Sequence, residues 1–246
     1  MLQTEHILIF LLILPVVAFL YATVGHGGAS GYLALMALFS FAPETMKPTA
    51  LLLNLFVAGI AFYHYYKAGY FKMKLFLPFA ITSIPLAFIG GMITIDDSIY
   101  KKILAFLLIF AILKLLNVFG KENTEIKDLK LWQGLIVGGI IGFFSGLIGI
   151  GGGIILTPII LLLHWGNMKE AAAVSALFIW VNSVSGLFGQ FTSGVTLSLQ
   201  SFALVAIAVI GGFIGSYYGS RKFNNQGLRN LLAIVLIIAC AKLIFA

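Results

Sequence analysis

Ile148-Gly149-Ile150-Gly151-Gly152-Gly153 interrupts a hydrophobic chain, and Val24-Gly25-His26-Gly27-Gly28-Ala29 interrupts it in the same way in the first half. Each cluster precedes a short apolar segment, 28–41 and 152–165. About 14 residues of helix extend roughly 20 Å, whereas a hydrocarbon core of about 30 Å needs about twenty residues. Glycine gives access to backbone conformations closed to other residues and lets another group approach the main chain. Irregular backbone at membrane depth is tolerated only where protein buries it or a water-filled cavity meets it. The pattern therefore predicts a membrane protein with two broken helices and not a plain bundle of spanning ones.

The rest of the composition agrees. Of 246 residues, 61% are hydrophobic and 9% charged, with mean hydropathy +1.09. A soluble domain carries about 25% charged residues, so lipid is the solvent here. Ten apolar segments run approximately over 5–24, 28–41, 48–66, 73–94, 99–118, 131–148, 152–165, 170–190, 198–218 and 228–245. The expected fold is an all-α polytopic membrane protein with about eight full transmembrane helices, or up to ten segments counting the broken ones. The run Ile7 to Leu20 has no basic residue before it, so it reads as the first membrane segment and not as a cleaved signal peptide. The net charge of +7 reads as the lysine and arginine of cytoplasmic loops, with no nucleic-acid partner. Cys240 is the single cysteine, which excludes an internal disulfide or a cysteine-built metal site.

The halves repeat. Besides the two glycine clusters, Met46-Lys47 matches Met168-Lys169, Ile89-Gly90-Gly91 matches Ile210-Gly211-Gly212, and Ile103-Leu104-Ala105 matches Leu231-Leu232-Ala233, in one collinear series. Residues 1–120 form a first repeat and 131–246 a second, joined by the charged linker 121–130. Loop charge reverses between equivalent positions. The loop holding Lys67, Lys72 and Lys74 corresponds to an uncharged one at 190–200, and Asp96 and Asp97 correspond to Arg221, Lys222 and Arg229. Basic loops face the cytoplasm, so the repeats are expected to be inverted, with the linker cytoplasmic and both termini outside.

The free N–H groups and positive dipole end of a helix start form a ready anion site. Short or broken segments at matching places in two halves point to a transporter's site. Tight helix crossing at small residues is the plainer role for such glycines. The candidate substrate-binding residues are Gly25, His26, Gly27, Gly28 and Ser30 in the first half with Gly149, Ile150, Gly151, Gly152 and Gly153 in the second. Asn54 and Asn182, each in mid-segment, join them; a buried amide must be hydrogen-bonded, either capping the break of its own half or meeting the substrate. His26 would either add positive charge when protonated or, neutral, bond a backbone carbonyl. Thr157, Ser183 and Gln190 are weaker candidates; His64, His164, Trp132 and Trp165 read as interfacial. No acidic residue lies in mid-segment, which argues against a carboxylate proton relay and against a cation site.

The motif Gly149-Ile150-Gly151-Gly152-Gly153 with Pro158 following, the two-half layout and the length resemble the sulfite exporter TauE/SafE family of membrane transporters. The first-half cluster departs from that motif, with His26 for the apolar residue, Ala29 for the last glycine and no matching proline. The resemblance implies export of sulfite, organosulfonates or related small oxyanions across the bacterial inner membrane. A secondary transporter working by alternating access is the expectation; an anion channel or facilitator using the same glycine helix ends is the alternative. No lysine and hydroxyl residue complete a phosphate-binding loop near any glycine run, so this chain does not hydrolyse ATP. Scattered histidines and one cysteine offer no catalytic constellation, so no enzymatic activity and no cofactor are expected. The expected partners are a small oxyanion and the lipid bilayer; glycine-rich surfaces also permit a homodimer.

Overall fold

A computed structural model describes residues 4–115 and 126–222, with residues 237, 240 and 241 beyond them. Among the described residues the chain is helical, without strands: α1 Thr4–Ala22, α2 Ala29–Leu38, α3 Pro43–Lys67, α4 Met73–Met92, α5 Asp97–Leu115, α6 Leu131–Ile148, α7 Gly153–Leu162, α8 Met168–Thr192 and α9 Leu199–Arg221. Nearly all of the tenth expected segment, the matched Leu231-Leu232-Ala233 and residues 121–125 of the linker lie outside the described residues. Five helices (α3, α4, α6, α8 and α9) are long and apolar enough to cross a membrane. The two segments after the glycine clusters fold as helices of ten residues each, about 15 Å long.

Local chemistry sets the helix ends. Pro43 opens α3, where its missing N–H is not needed, and Glu44 occupies the first turn. Asn167 caps α8 by accepting from the N–H groups of Lys169 and Glu170, each at 3.0 Å, while Glu170 Oε2 accepts from the Asn167 N–H. Gly25 ends α1 in the left-handed region (φ 74°): its N–H bonds to Ala22 O at 3.1 Å and that of His26 to Tyr21 O at 3.0 Å. Gly149 ends α6 the same way (φ 83°), bonding Ser145 O at 2.9 Å. Each break thus begins as a helix stop that only glycine makes cheaply.

Packing follows small residues. Along α9, Gly211, Gly215 and Gly219 lie against the backbone of Pro15 and Phe19 of α1 and of Thr23 just after it. Along α6, Gly138, Gly142 and Gly146 lie against Phe79, Ser83 and Ala87 of α4. In each series the numbers rise together, so α1 runs parallel to α9, and α4 to α6. Ser185 and Ser193 of the α8 end donate to Ile84 O and Met92 O, which makes α4 and α8 parallel as well. Between α3 and α8 the order reverses: Leu51 meets Gly186, Asn54 meets Ser183, and Gly59 meets Trp180. The two 25-residue helices are antiparallel.

The chain turns gather at two ends. Lys72 pairs with Glu170 at 3.1 Å, Lys127 N–H donates to His164 O at 2.7 Å, and Lys169 Nζ donates to Gly219 O. These contacts bring Lys67, Lys72, Lys74, Lys127, Lys130, Lys169, Arg221 and Lys222 to one end. The other end carries the starts of α3 and α5 with Glu44, Asp96 and Asp97.

Two expected interfacial residues are interior ones. His64 is buried; its ring lies 2.8 Å from Ser216 Oγ of α9 and edge-on to Phe213. Trp165 is buried against Phe79. Neighbouring helices cover both rings, which segment ends alone do not reveal. Trp132 is exposed, as a belt residue should be.

Candidate functional site

The two glycine breaks meet inside the protein, and Asn54 lies between them. A Cβ added to Gly27 would strike Asn54 Oδ1, and one added to Gly151 would strike Asn54 Nδ2. Asn54 is fully buried; its Oδ1 accepts from Ala29 N–H (3.1 Å), in the first turn of α2, and its Nδ2 donates to Ser183 Oγ of α8 (3.3 Å). The amide therefore caps the break of its own half and also touches the break of the other. Of the two roles open to it on sequence grounds, capping is the one the geometry displays.

Each break also packs on the long helix of the other half. Gly25 lies against Ala172, the fifth residue of α8, and Gly149 against Lys47, the fifth residue of α3. Gly28 and Gly152 precede α2 and α7 with positive φ (103° and 78°), so neither helix start has a side-chain cap of its own. A side chain at either glycine would intrude, on Tyr32 at Gly28 and on Ile141 and Phe178 at Gly152. Ile150 and Gly153 are buried in the second break; Gly153 lies against Ile179 and the Ser175 carbonyl.

His26 joins the halves at a second point. Its Nδ1 lies 3.0 Å from Val24 O, and since a carbonyl only accepts, the proton sits on Nδ1. That leaves Nε2 3.1 Å from Thr157 Oγ1 of α7, whose hydroxyl proton goes to Ser175, so the ring donates to Thr157 when it is protonated. Thr157 Oγ1 in turn lies 2.7 Å from Ser175 Oγ of α8. The chain His26–Thr157–Ser175 is buried throughout. Ser30 turns the other way, donating to Tyr21 Oη at 2.9 Å.

Asn182 stands apart from Asn54. Its Nδ2 donates to Phe178 O, one turn back in its own helix, and its Oδ1 is buried without a partner. Counted from the helix starts, Asn54 is the twelfth residue of α3, and the twelfth of α8 is Ile179. The second break thus faces an isoleucine where the first has an amide. Ser175, Tyr21 and the cross-half contact of Gly151 with Asn54 carry no sequence signal of their own: a serine in an apolar helix usually bonds back to its own backbone.

Among the described residues no group of three or more His, Cys, Asp or Glu gathers as a metal set would. The polar groups at the breaks are backbone N–H, amide, hydroxyl and imidazole, all able to donate to an anion.

A family profile described as sulfite exporter TauE/SafE matches residues 9–243. A probable membrane transporter protein of Sinorhizobium fredii is 36% identical over 94% of this chain and 95% of its own length. One from Methanocaldococcus jannaschii is 27% identical, covering 92% and 94%, and one from Escherichia coli K12 is 25% identical, covering 66% and 63%. No solved structure matches.

Proposed function

Since this chain belongs to the sulfite exporter TauE/SafE family, we propose that it is a secondary transporter exporting a small oxyanion, such as sulfite or an organosulfonate, by alternating access. The observation that carries this reading is the meeting of two buried glycine breaks, one from each half, on either side of Asn54. Each break ends at the start of a short helix, where open N–H groups and the positive dipole end favour negative charge.

Inverted repeats supply the motion. The antiparallel α3 and α8, the parallel pairs α1–α9 and α4–α6, and the reciprocal contacts Gly25–Ala172 and Gly149–Lys47 support a two-fold relation that reverses each half. Rocking one half against the other would expose a central anion to each side in turn. The end with Lys67, Lys72, Lys74, Lys127, Lys130, Arg221 and Lys222 is cytoplasmic on this reading, because basic residues stay inside. The linker is then cytoplasmic and both termini face outward, in a bacterial inner membrane. His26, when protonated, adds a positive charge beside the breaks and couples transport to pH.

The test is uptake of radiolabelled sulfite, sulfate, thiosulfate and methanesulfonate into inside-out vesicles carrying the protein. Saturable uptake with counterflow of at least one anion is expected. Conductance at channel rates without counterflow would favour the channel; no flux of any of the four would sink the substrate class.

A further inference from the structure

Counted from the starts of α3 and α8, Lys47 takes the place of Ala172 and Gln190 the place of Tyr65. At the basic end, Tyr65 and Ala172 pack together with Ala173 in a small buried cluster, and Tyr65 Oη donates to Thr23 O at 2.9 Å. At the other end, Lys47 and Gln190 do not close up. They line a cavity of about 260 Å³ whose wall also includes Glu44, Asp97, Tyr100 and Leu147. An apolar contact at one end is thus replaced, at the matching place, by an ammonium and a carboxamide around open space.

Both polar groups have donors to spare. Gln190 is 1% exposed, and neither Nε2 nor Oε1 has a hydrogen-bond partner. A buried amide left unpaired is costly, and this residue lines the cavity wall. Lys47 Nζ donates once, to Ile93 O at 3.1 Å. An ammonium has three N–H donors, and Lys47 makes no ion pair within the structure described. The cavity also abuts the second break: Leu147 lies two residues before Gly149, and Gly149 packs on the Lys47 backbone. Tyr100 Oη pins that approach by donating to Ile148 O at 3.0 Å. Glu44 and Asp97 are exposed carboxylates in the same lining.

We propose that this cavity is a second anion site, distinct from the glycine breaks, which takes a small oxyanion or short sulfonate between Lys47 Nζ and the Gln190 carboxamide. It rests on the oxyanion-transport reading above and gives that path a station on the side opposite the basic end.

The experiment uses the full chain in proteoliposomes, with radiolabelled sulfite, sulfate, thiosulfate and methanesulfonate as probes, and compares wild type with Lys47→Gln, Lys47→Arg and Gln190→Leu. Lys47→Gln and Gln190→Leu are expected to raise the half-saturating concentration about tenfold, the factor that about 1.4 kcal/mol of lost binding produces, while Lys47→Arg stays near wild type. Gln190→Leu is also expected to keep or raise the apparent melting temperature, because it removes an unpaired buried amide. A merely structural role would lower melting temperature and transport together, and that result overturns the proposal. So does wild-type half-saturation in both Lys47→Gln and Gln190→Leu. If wild type moves none of the four anions, and none raises its melting temperature, the transport reading fails and the second site falls with it.

Discussion

Replacing Asn54 by aspartate or by alanine separates the structural from the electrostatic role of the amide. Alanine removes the acceptor of the Ala29 N–H and the donor to Ser183 Oγ, both in fully buried surroundings. An orphaned buried donor costs about 1–3 kcal/mol, and the lost amide–hydroxyl bond about 1 kcal/mol more. A total of about 2–4 kcal/mol corresponds to an apparent melting temperature lower by on the order of 5–15 °C for a chain of this size. Aspartate has the same shape and keeps the acceptor. A carboxylate at the first turn of α2 is moreover favoured by the helix dipole and by a charge-assisted bond. Burial without a cation opposes that gain, so Asn54→Asp should melt below wild type but above Asn54→Ala. Yet it places a fixed negative charge between Gly27 and Gly151, where a transported anion is expected to bind. Two unit charges about 4 Å apart at an effective dielectric constant of about 20 repel by about 4 kcal/mol, which amounts to loss of measurable transport. Fluorescence melting in detergent and sulfite counterflow in proteoliposomes read the two effects separately. Wild-type half-saturation in Asn54→Asp would refute the placement of the anion between the breaks, and an unchanged melting temperature in Asn54→Ala would refute the capping role.

Three further tests address the frame and the second polar bridge. Gly146→Ala drives a Cβ into the Ala87 carbonyl oxygen and must part α4 from α6, whereas Gly69→Ala meets open space and costs only its backbone conformation (φ 79°), about 1 kcal/mol; a melting-temperature loss in Gly146→Ala no larger than in Gly69→Ala would contradict the packing. His26→Ala and Thr157→Val each break the contact between the first break and α7, so both should slow counterflow, and the double variant should do little further harm because the two share one interaction. His64→Ala removes the bond to Ser216 that ties α3 to α9; a loss of about 1–3 kcal/mol in stability, seen as an earlier melting transition, is expected.

The breaks were readable because glycine is a positive signal: Gly25, Gly28, Gly149, Gly151 and Gly152 all adopt positive φ, a conformation that only glycine takes at little cost. Hydrophobic run length likewise gave the elements, including two ten-residue helices too short to cross. What run length cannot supply is the exact register between the halves. The sequence matches pair Met46-Lys47 with Met168-Lys169 and place Asn54 near Asn182, but the helix starts set Lys47 beside Ala172 and Asn54 beside Ile179. Three residues are most of one helical turn, so the shifted match keeps nearly the same face and the hydrophobic pattern does not object to it. Burial at segment ends fails for a related reason. His64 and Trp165 lie where interfacial rings belong, and only Ser216 of α9 and Phe79 of α4 draw them inside.

That register decides where function shows itself. Where two halves repeat a contact, as Gly25 on Ala172 and Gly149 on Lys47 do, the shared part is the backbone approach that glycine permits, and it explains the frame. Where they differ at matched places, packing needs of the frame do not explain the difference, because the other half shows an alternative that closes. Asn54 against Ile179 puts one amide, not two, between the breaks. Gln190 against Tyr65 puts an unpaired buried amide at one end, and Lys47 against Ala172 puts an ammonium beside it. A transporter with two identical halves would bind its substrate the same way from both sides. Each of these departures breaks that equivalence, and the anion site proposed at Lys47 and Gln190 would break it at the end opposite the basic loops.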